Sequence, residues 1–267
     1  MTEDQYTHGH HESVLRSHRW RTAENSAGFL LPELVAGVRV LDVGCGPGTI
    51  SADLARRVAP GPVTAIDIAQ DVIETARSIH EGQGTENLRF SVDDVYDLSF
   101  KDQSFDVVYA HQVLQHLSDP VSALIEMRRV LVDGGLLAVR DADFGAFIWS
   151  PDDPRLDAWM DLYHRVTLAN GAQADAGRFL PTWVRQAGFH DATVTSSNWT
   201  FHQAGERAWW GGLWADRILH SDFAGQALAY GFIDQDGLAS MSQAFRQWSM
   251  NEDGVFVVLN VEVLARR

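Results

Sequence analysis

The run Val38-Arg39-Val40-Leu41-Asp42-Val43-Gly44-Cys45-Gly46-Pro47-Gly48-Thr49-Ile50 constrains the fold more than any other stretch of the chain. Apolar, largely β-branched residues crowd its first half, three glycines break it, and helix-forming sequence follows, so it reads as strand, tight turn and helix. Glycine permits positive φ and lets the backbone approach a ligand closely, while the free N–H groups that open the next helix favour a polar or anionic group. This is a nucleotide-type loop. Its spacing narrows the choice. Counting from Gly44, the G-x-G-x-x-G pattern of dinucleotide sites finds Gly46, then Thr49 where the third glycine belongs. What stands instead is D-x-G-x-G-x-G, with Asp42 at the strand end and Gly44, Gly46 and Gly48 at alternate positions.

Downstream, helices and strands alternate. A helix over 13–31 precedes the loop and stops at Pro32. After it, Ile50, Leu54 and Val58 mark one helix face, and Pro60-Gly61-Pro62 ends that helix. The second strand, 63–66, closes on Asp67, nineteen residues past Gly48. A carboxylate at the end of this neighbouring parallel strand can accept both hydroxyls of a ribose; capping the next helix is its structural alternative. A helix over 71–80, a third strand over 88–92 and a fourth over 105–110 follow. The fourth delivers His111, Gln112 and His116 to its carboxyl end, where open α/β sheets bind ligands. Imidazole titrates near neutrality, so His111, and after it His116, are candidate bases, against a role in packing alone. Asp119-Pro120 starts the next helix, a fifth strand spans 136–139, and Asp141 beyond it is the second catalytic candidate, against a cap or a salt bridge with Arg140.

Past residue 145 the alternation loosens, and eight of the nine tryptophans lie here. Helices over 156–168 and 178–187 precede two strands, 192–201 and 255–264, separated by a helical insertion at 203–250, far longer than an antiparallel hairpin needs. Trp209, Trp210, Trp214 and Phe223 in that insertion offer stiff apolar surface for a flat or bulky organic substrate, or else form ordinary core. His220 is a further candidate base by its place there, and His164 is another.

Composition serves mainly to exclude. A net charge of −15 and a pI near 5.0 argue against nucleic-acid and anionic-membrane partners, which need basic patches. A single cysteine, Cys45, excludes an internal disulfide framework and a Cys-rich zinc site; it reads as a small filler of the loop. His8, His10 and His11 have no Asp or Cys beside them and read as a flexible tail rather than a metal cluster. Residues 1–6 are polar and no run approaches a membrane span, so the expected address is the cytoplasm.

These motifs resemble those of class I S-adenosylmethionine-dependent methyltransferases, chiefly the menaquinone- and ubiquinone-biosynthesis type and related natural-product enzymes of secondary metabolism. The glycine loop is similar to the family's first motif. Asp97-Leu98-Ser99-Phe100-Lys101-Asp102-Gln103-Ser104-Phe105-Asp106-Val107-Val108 resembles its D-L-P-F-x-D-x-S-F-D-V-V stretch, with Ser99 for proline, and 128–135 resembles its R-V-L-K-P-G-G turn, with Val132 and Asp133 for Lys and Pro. The likeness runs motif by motif from about Val38 to Asp141, and in outline over the last two strands. It implies an α/β Rossmann-like fold: a seven-stranded sheet of five parallel strands plus an antiparallel edge pair, an N-terminal helical cap, and a helical lid between the last two strands. The corresponding units are a tail and cap at 1–35, a cofactor-binding core at 36–145, and a cap or lid with the last two strands at 146–267. The implied cofactor is S-adenosylmethionine, with S-adenosylhomocysteine as product. Asp42, Gly44, Cys45, Gly46 and Gly48 would surround its amino acid moiety, Asp67 and Ile68 its ribose side, and Asp94 with Val95 its adenine, Asp93 being the alternative to Asp94. His111, Gln112 and His116 would lie beside it, and Arg21 or Asn25 of the cap would reach the ligand or face solvent.

The expected activity is methyl transfer to O, N or C of a small aromatic or polyketide-like substrate, with no metal required and a homodimer left open. The sulfonium is already a strong electrophile, so the protein chiefly aligns the reactants and excludes water. Two rivals stand beside this reading. One is an enzyme of the same fold that binds the cofactor for a cyclisation or rearrangement; the other is a nicotinamide-dependent dehydrogenase, disfavoured by Thr49.

Overall fold

The computed structural model describes residues 12–267 together with Asp4, Tyr6, Thr7 and Gly9; His8, His10 and His11 lie outside the described residues. The chain opens with α1 (Glu12–Arg19) and α2 (Ala23–Ser26), then alternates β1 (Val40–Val43), α3 (Thr49–Val58), β2 (Val63–Asp67), α4 (Gln70–His80) and β3 (Leu88–Val92). β4 (Phe105–His111), α5 (Pro120–Val130), β5 (Leu131–Ala142) and the short β6 (Ile148–Ser150) follow, then α6 (Pro154–Ala169), α7 (Ala176–Gln186) and β7 (Ala192–Phe201). Three helices, α8 (Ala204–His220), α9 (Asp222–Ala229) and α10 (Gln235–Met250), separate β7 from β8 (Val255–Arg266). The single helix expected over 13–31 is broken. Thr22 breaks it: its hydroxyl accepts from the Asn25 N–H while the Asn25 side chain accepts from the Thr22 N–H, a reciprocal cap that restarts the helix at Ala23.

β3, β2, β1, β4 and β5 pair in that order, all parallel. β8 is antiparallel to β5, and β7 is antiparallel to β8; both meet Val261, so they flank β8 on opposite edges. This is the expected sheet of five parallel strands with an antiparallel edge pair. β6 and β7 both meet Phe256, which puts β6 on the β5 side of β8, as a continuation of that line beyond the turn at Phe144–Ala146. A three-residue strand has too little periodicity to be read in advance.

Alternation along the central strands divides the core. Leu41, Val43, Val108, Ala110, Leu137 and Val139 pack on one face with Leu124 and Met127 of α5 and Leu180 and Val184 of α7. Val40, Val107, Tyr109, Leu136 and Ala138 pack on the other with Leu54 and Val58 of α3 and with Ala23 and Ala27. Arg129 braces the stretch before β4: it donates to the Leu98 and Phe100 carbonyls and to Asp102 and Glu126. The inserted helices carry a third core, in which Trp159 and Tyr163 of α6 meet Trp214, Phe223 and Phe245. Phe223 is therefore core and not pocket wall. Among the described residues no helix is long and apolar enough to cross a membrane.

The N-terminal helices close over the loop after β1. The Thr49 hydroxyl donates to the His18 carbonyl, Arg16 pairs with Asp216 of α8 at 3.2 Å, and Trp20 packs tilted against Trp209 with ring centres 5.2 Å apart. One layer thus covers the carboxyl ends of the strands from both directions in sequence.

Candidate active site

The loop between β1 and α3 turns through Gly44, Gly46 and Gly48 at φ +68, +54 and +77. A Cβ on Gly44 would lie 2.4 Å from Val113 Cγ2, so the loop and the turn beyond β4 approach as only glycine allows. Gly48 is different: it caps α3, a Cβ there would strike the Phe90 ring at 2.5 Å, and it is absent from the cavity wall. The close approach to Phe90 and the positive φ account for glycine at this position. Asp67 both braces and lines: Oδ2 accepts from the Gly46 N–H and Oδ1 from the Ala69 N–H, each at 3.1 Å. Asp42 is buried and accepts from the Ser51 hydroxyl at 2.6 Å; burial pushes its pKa up to about 7 against that bond. Burial also raises the Cys45 thiol well above its ordinary pKa, as suits a filler.

From this loop a cavity of about 990 Å³ runs to the inserted helices. Asp42, Gly44, Cys45, Gly46, Asp67, Ile68, Asp94, Val95, His111, Gln112 and His116 all line it, as do Trp209, Trp210 and Trp214 at the other end. Ile68 is 66% exposed, a bare apolar face beside a carboxylate. Both paired acids line the cavity but differ in their hydrogen bonds: Asp93 is engaged by the Ser99 N–H, the Ser99 hydroxyl and the Asp94 N–H, whereas Asp94 spends one oxygen on the Tyr96 N–H. Gln112 sits at φ +54, a costly conformation for a non-glycine residue, and this orients its amide to receive Arg21 and donate to Asn260 at 3.2 Å.

Both histidines beyond β4 line the cavity among buried neighbours. His111 is 5% exposed, and burial with the nearby Arg21 and Arg140 charges holds its pKa well below the ordinary value. Its Nδ1 lies 3.4 Å from Arg140 Nη1, and a guanidinium only donates, so Nδ1 accepts and the proton sits on Nε2. His116, 2.9 Å from the Gln115 amide and edge-on to Tyr6, is depressed to about 3, chiefly by burial. Two other candidates leave the site. Asp141 is fully buried behind the wall, with Oδ1 accepting from the Gln115 N–H and burial raising its pKa to about 8. His220 is exposed in the last turn of α8, outside the cavity. His164 pairs with Asp175 at 2.8 Å, also away from the wall.

Several wall residues were not among the candidates. Trp199 of β7 donates to the Asn25 carbonyl and lies under the Arg140 guanidinium, 4.7 Å from its ring centre. Arg217 stacks on Trp214 at 4.7 Å and donates to the Ser17 hydroxyl. Its signal was present: Trp210, Trp214 and Arg217 share one helix face, a charge set in an apolar stripe. Tyr6, Phe144 and Phe147 complete that end of the wall.

The residues fit an adenosine-bearing amino acid sulfonium on the structure's own terms. A glycine cradle closes on the strand ends, six aspartates line the cavity, and the buried Gln115 Oε1 has no partner among the described residues. An open, mostly parallel sheet with such a loop and strand-end acids defines an α/β enzyme that binds a nucleoside cofactor. A family model described as a methyltransferase domain matches residues 34–204, and the chain belongs to the class I S-adenosylmethionine-dependent methyltransferases. It is 29% identical over 98% of its length to an uncharacterized methyltransferase of Schizosaccharomyces pombe, covering 96% of that protein. It is 28% identical to the probable methyltransferase ltbC of Aspergillus luteorubrus, covering 97% and 96% of the two chains. Among solved structures, the YcgJ protein of Bacillus subtilis shares the fold, with a TM-score of 0.55 at 18% identity, over 97% of this chain and 99% of that one. The activity is S-adenosylmethionine-dependent methyl transfer to a small molecule.

Proposed function

We propose that the acceptor is an aromatic or polyketide-like small molecule held beneath α8–α10, with the cofactor along the glycine loop. One observation carries the reading: a single continuous cavity has carboxylates and glycine backbone at one end and tryptophans at the other. When bound, S-adenosylmethionine supplies a methyl group on a positively charged sulfur. Asp67 would hold the ribose hydroxyls, and Asp94 the adenine amino group, with Ile68 and Val95 against the ring. Gly44, Cys45 and Gly46 would cradle the amino acid portion, with Asp42 near its ammonium group. Trp199, Trp209 and Trp210 offer broad apolar faces for the acceptor, and Trp20 against Trp209 closes the seam between cap and insertion, which excludes water. Aromatic faces align a flat acceptor at little entropic cost, and alignment is most of what this displacement asks of a protein.

The test is product mass. Incubation with S-adenosylmethionine and a panel of phenolic and polyketide acceptors is expected to add one methyl group to at least one of them. Turnover with no methyl gain would favour a cyclisation or rearrangement instead, and methylation confined to aliphatic amines would overturn the aromatic assignment.

A further inference from the structure

His111 stands at the end of β4 with its orientation fixed from behind. Arg140, fully buried, donates to Glu262 Oε1 at 3.2 Å and Ser197 Oγ at 3.1 Å, lies flat on Trp199, and presents Nη1 to His111 Nδ1. Since Arg140 can only donate, the imidazole shows the cavity an N–H at Nε2, and that nitrogen has no partner among the described residues. Arg21 lines the same cavity from the N-terminal cap. Its Nη2 donates to Gln112 Oε1, its Nε is unpartnered, and no carboxylate among the described residues pairs with it. Trp199 joins the two: the His111 ring meets it edge-on at 5.7 Å and the Arg21 guanidinium lies over it at 5.7 Å. The carboxylates that line the cavity are engaged elsewhere: Asp42 by Ser51, Asp67 by Gly46 and Ala69, Asp94 by Tyr96, Asp93 by Ser99, Asp119 by Ser122, and Asp4 by Tyr96 and Ser118.

A half-buried guanidinium with its Nε enclosed and no counter-ion among the described residues, beside a fixed N–H aimed into an apolar space, is costly unless a ligand supplies negative charge. We propose that Arg21 and His111 form an oxyanion subsite, and that the acceptor enters with its reacting oxygen already ionised, as a phenolate, enolate or carboxylate. This rests on the methyltransferase reading above and names its acceptor class. The oxygen lone pair forms the new C–O bond as the S–CH3 bond breaks toward sulfur, the negative and positive charges cancel, and no proton moves. His111 is then a donor and not a base, which accounts for its being held neutral among the charges facing it, Arg21, Arg140 and His18.

The experiment uses two probes of similar shape, 2,4-dinitrophenolate and its neutral ether 2,4-dinitroanisole, titrated with and without saturating S-adenosylhomocysteine. The phenolate is expected to bind about tenfold or more tighter than the ether, and Arg21→Met and His111→Phe each to weaken it by about tenfold or more, with S-adenosylhomocysteine affinity little changed. Equal binding of the two probes, or variants that leave phenolate affinity intact, would overturn the proposal. If Arg21→Met weakens S-adenosylhomocysteine and spares the phenolate, Arg21 serves the cofactor's carboxylate and the subsite fails. Absence of S-adenosylhomocysteine binding by the wild type would count against the functional reading alone, because the probes are also titrated without it. A second measurement needs no variant: 15N spectra of histidine-labelled protein should show His111 as the Nε2–H tautomer, unchanged from about pH 5.5 to 8.5. An Nδ1–H pattern, or titration of His111 within that range, would contradict it.

Discussion

Asp141→Asn should make the protein more stable, and increasingly so as pH rises. The Asp141 carboxyl is fully buried, accepts from the Gln115 N–H at Oδ1, and has no partner for Oδ2 among the described residues. Burial raises its folded pKa to about 8 from an ordinary 3.8. The sign follows from linkage: a group with a raised folded pKa stabilises fully below its unfolded pKa, and that stabilisation is lost as pH climbs to the folded value. Each pH unit in that window is worth about 1.4 kcal/mol, so at pH 7 the wild-type chain has given up roughly 4 kcal/mol that an asparagine keeps. Asn also presents an oxygen to Gln115, and any cost of its buried amide is constant with pH. Urea unfolding of both proteins at half-unit steps from pH 5 to 9 should therefore give a stability difference that grows toward pH 8 and then levels. Other titrating groups, Asp42 included, cancel in the difference. A difference that is flat in pH, or that shrinks as pH rises, would refute the burial argument. The same variant separates structure from chemistry: Asp141 stands behind the wall, so Asp141→Asn is expected to keep its turnover, where loss of a general base would cost about a hundredfold or more.

Gly44→Ala forces a methyl group onto Val113 in a left-handed conformation; it should cost about 2 kcal/mol or more in thermal unfolding and weaken S-adenosylhomocysteine at the same time. Asp94→Asn should weaken S-adenosylhomocysteine about tenfold with little change in melting temperature. Asp93→Asn should do the reverse, losing stability through its bonds to Ser99; calorimetry and a melt on each variant decide between them.

How much of this was legible in the sequence follows from how far each signal travels along the chain. The glycine loop, Asp67 and the β4 terminus are local patterns, and the strand order follows from parallel strands with helical crossovers, so most residues lining the loop end of the cavity were readable from the chain. The insertion between β7 and β8 was readable too, because a run of that length cannot be a hairpin turn. What a sequence pattern does not carry is direction, as distinct from position. Gly48 and Asp141 lie where expected along the chain, yet one faces Phe90 and the other the buried side of β5. His111 has the right address for a base, and only Arg140, a neighbour across the sheet, reveals that its proton is already committed. Trp199, Arg217 and Arg21 reach the wall from β7, α8 and the N-terminal cap, segments far apart in sequence whose meeting is set by packing.

The central claim is that Asp67 and the glycine loop hold the cofactor that the aromatic end then uses. Calorimetric titration of S-adenosylhomocysteine into the wild type and Asp67→Ala tests it most directly. The account predicts saturable one-to-one binding by the wild type and a loss of about a hundredfold in the variant, the worth of two hydrogen bonds to a carboxylate. No binding by the wild type, or equal affinity in the two proteins, would contradict it.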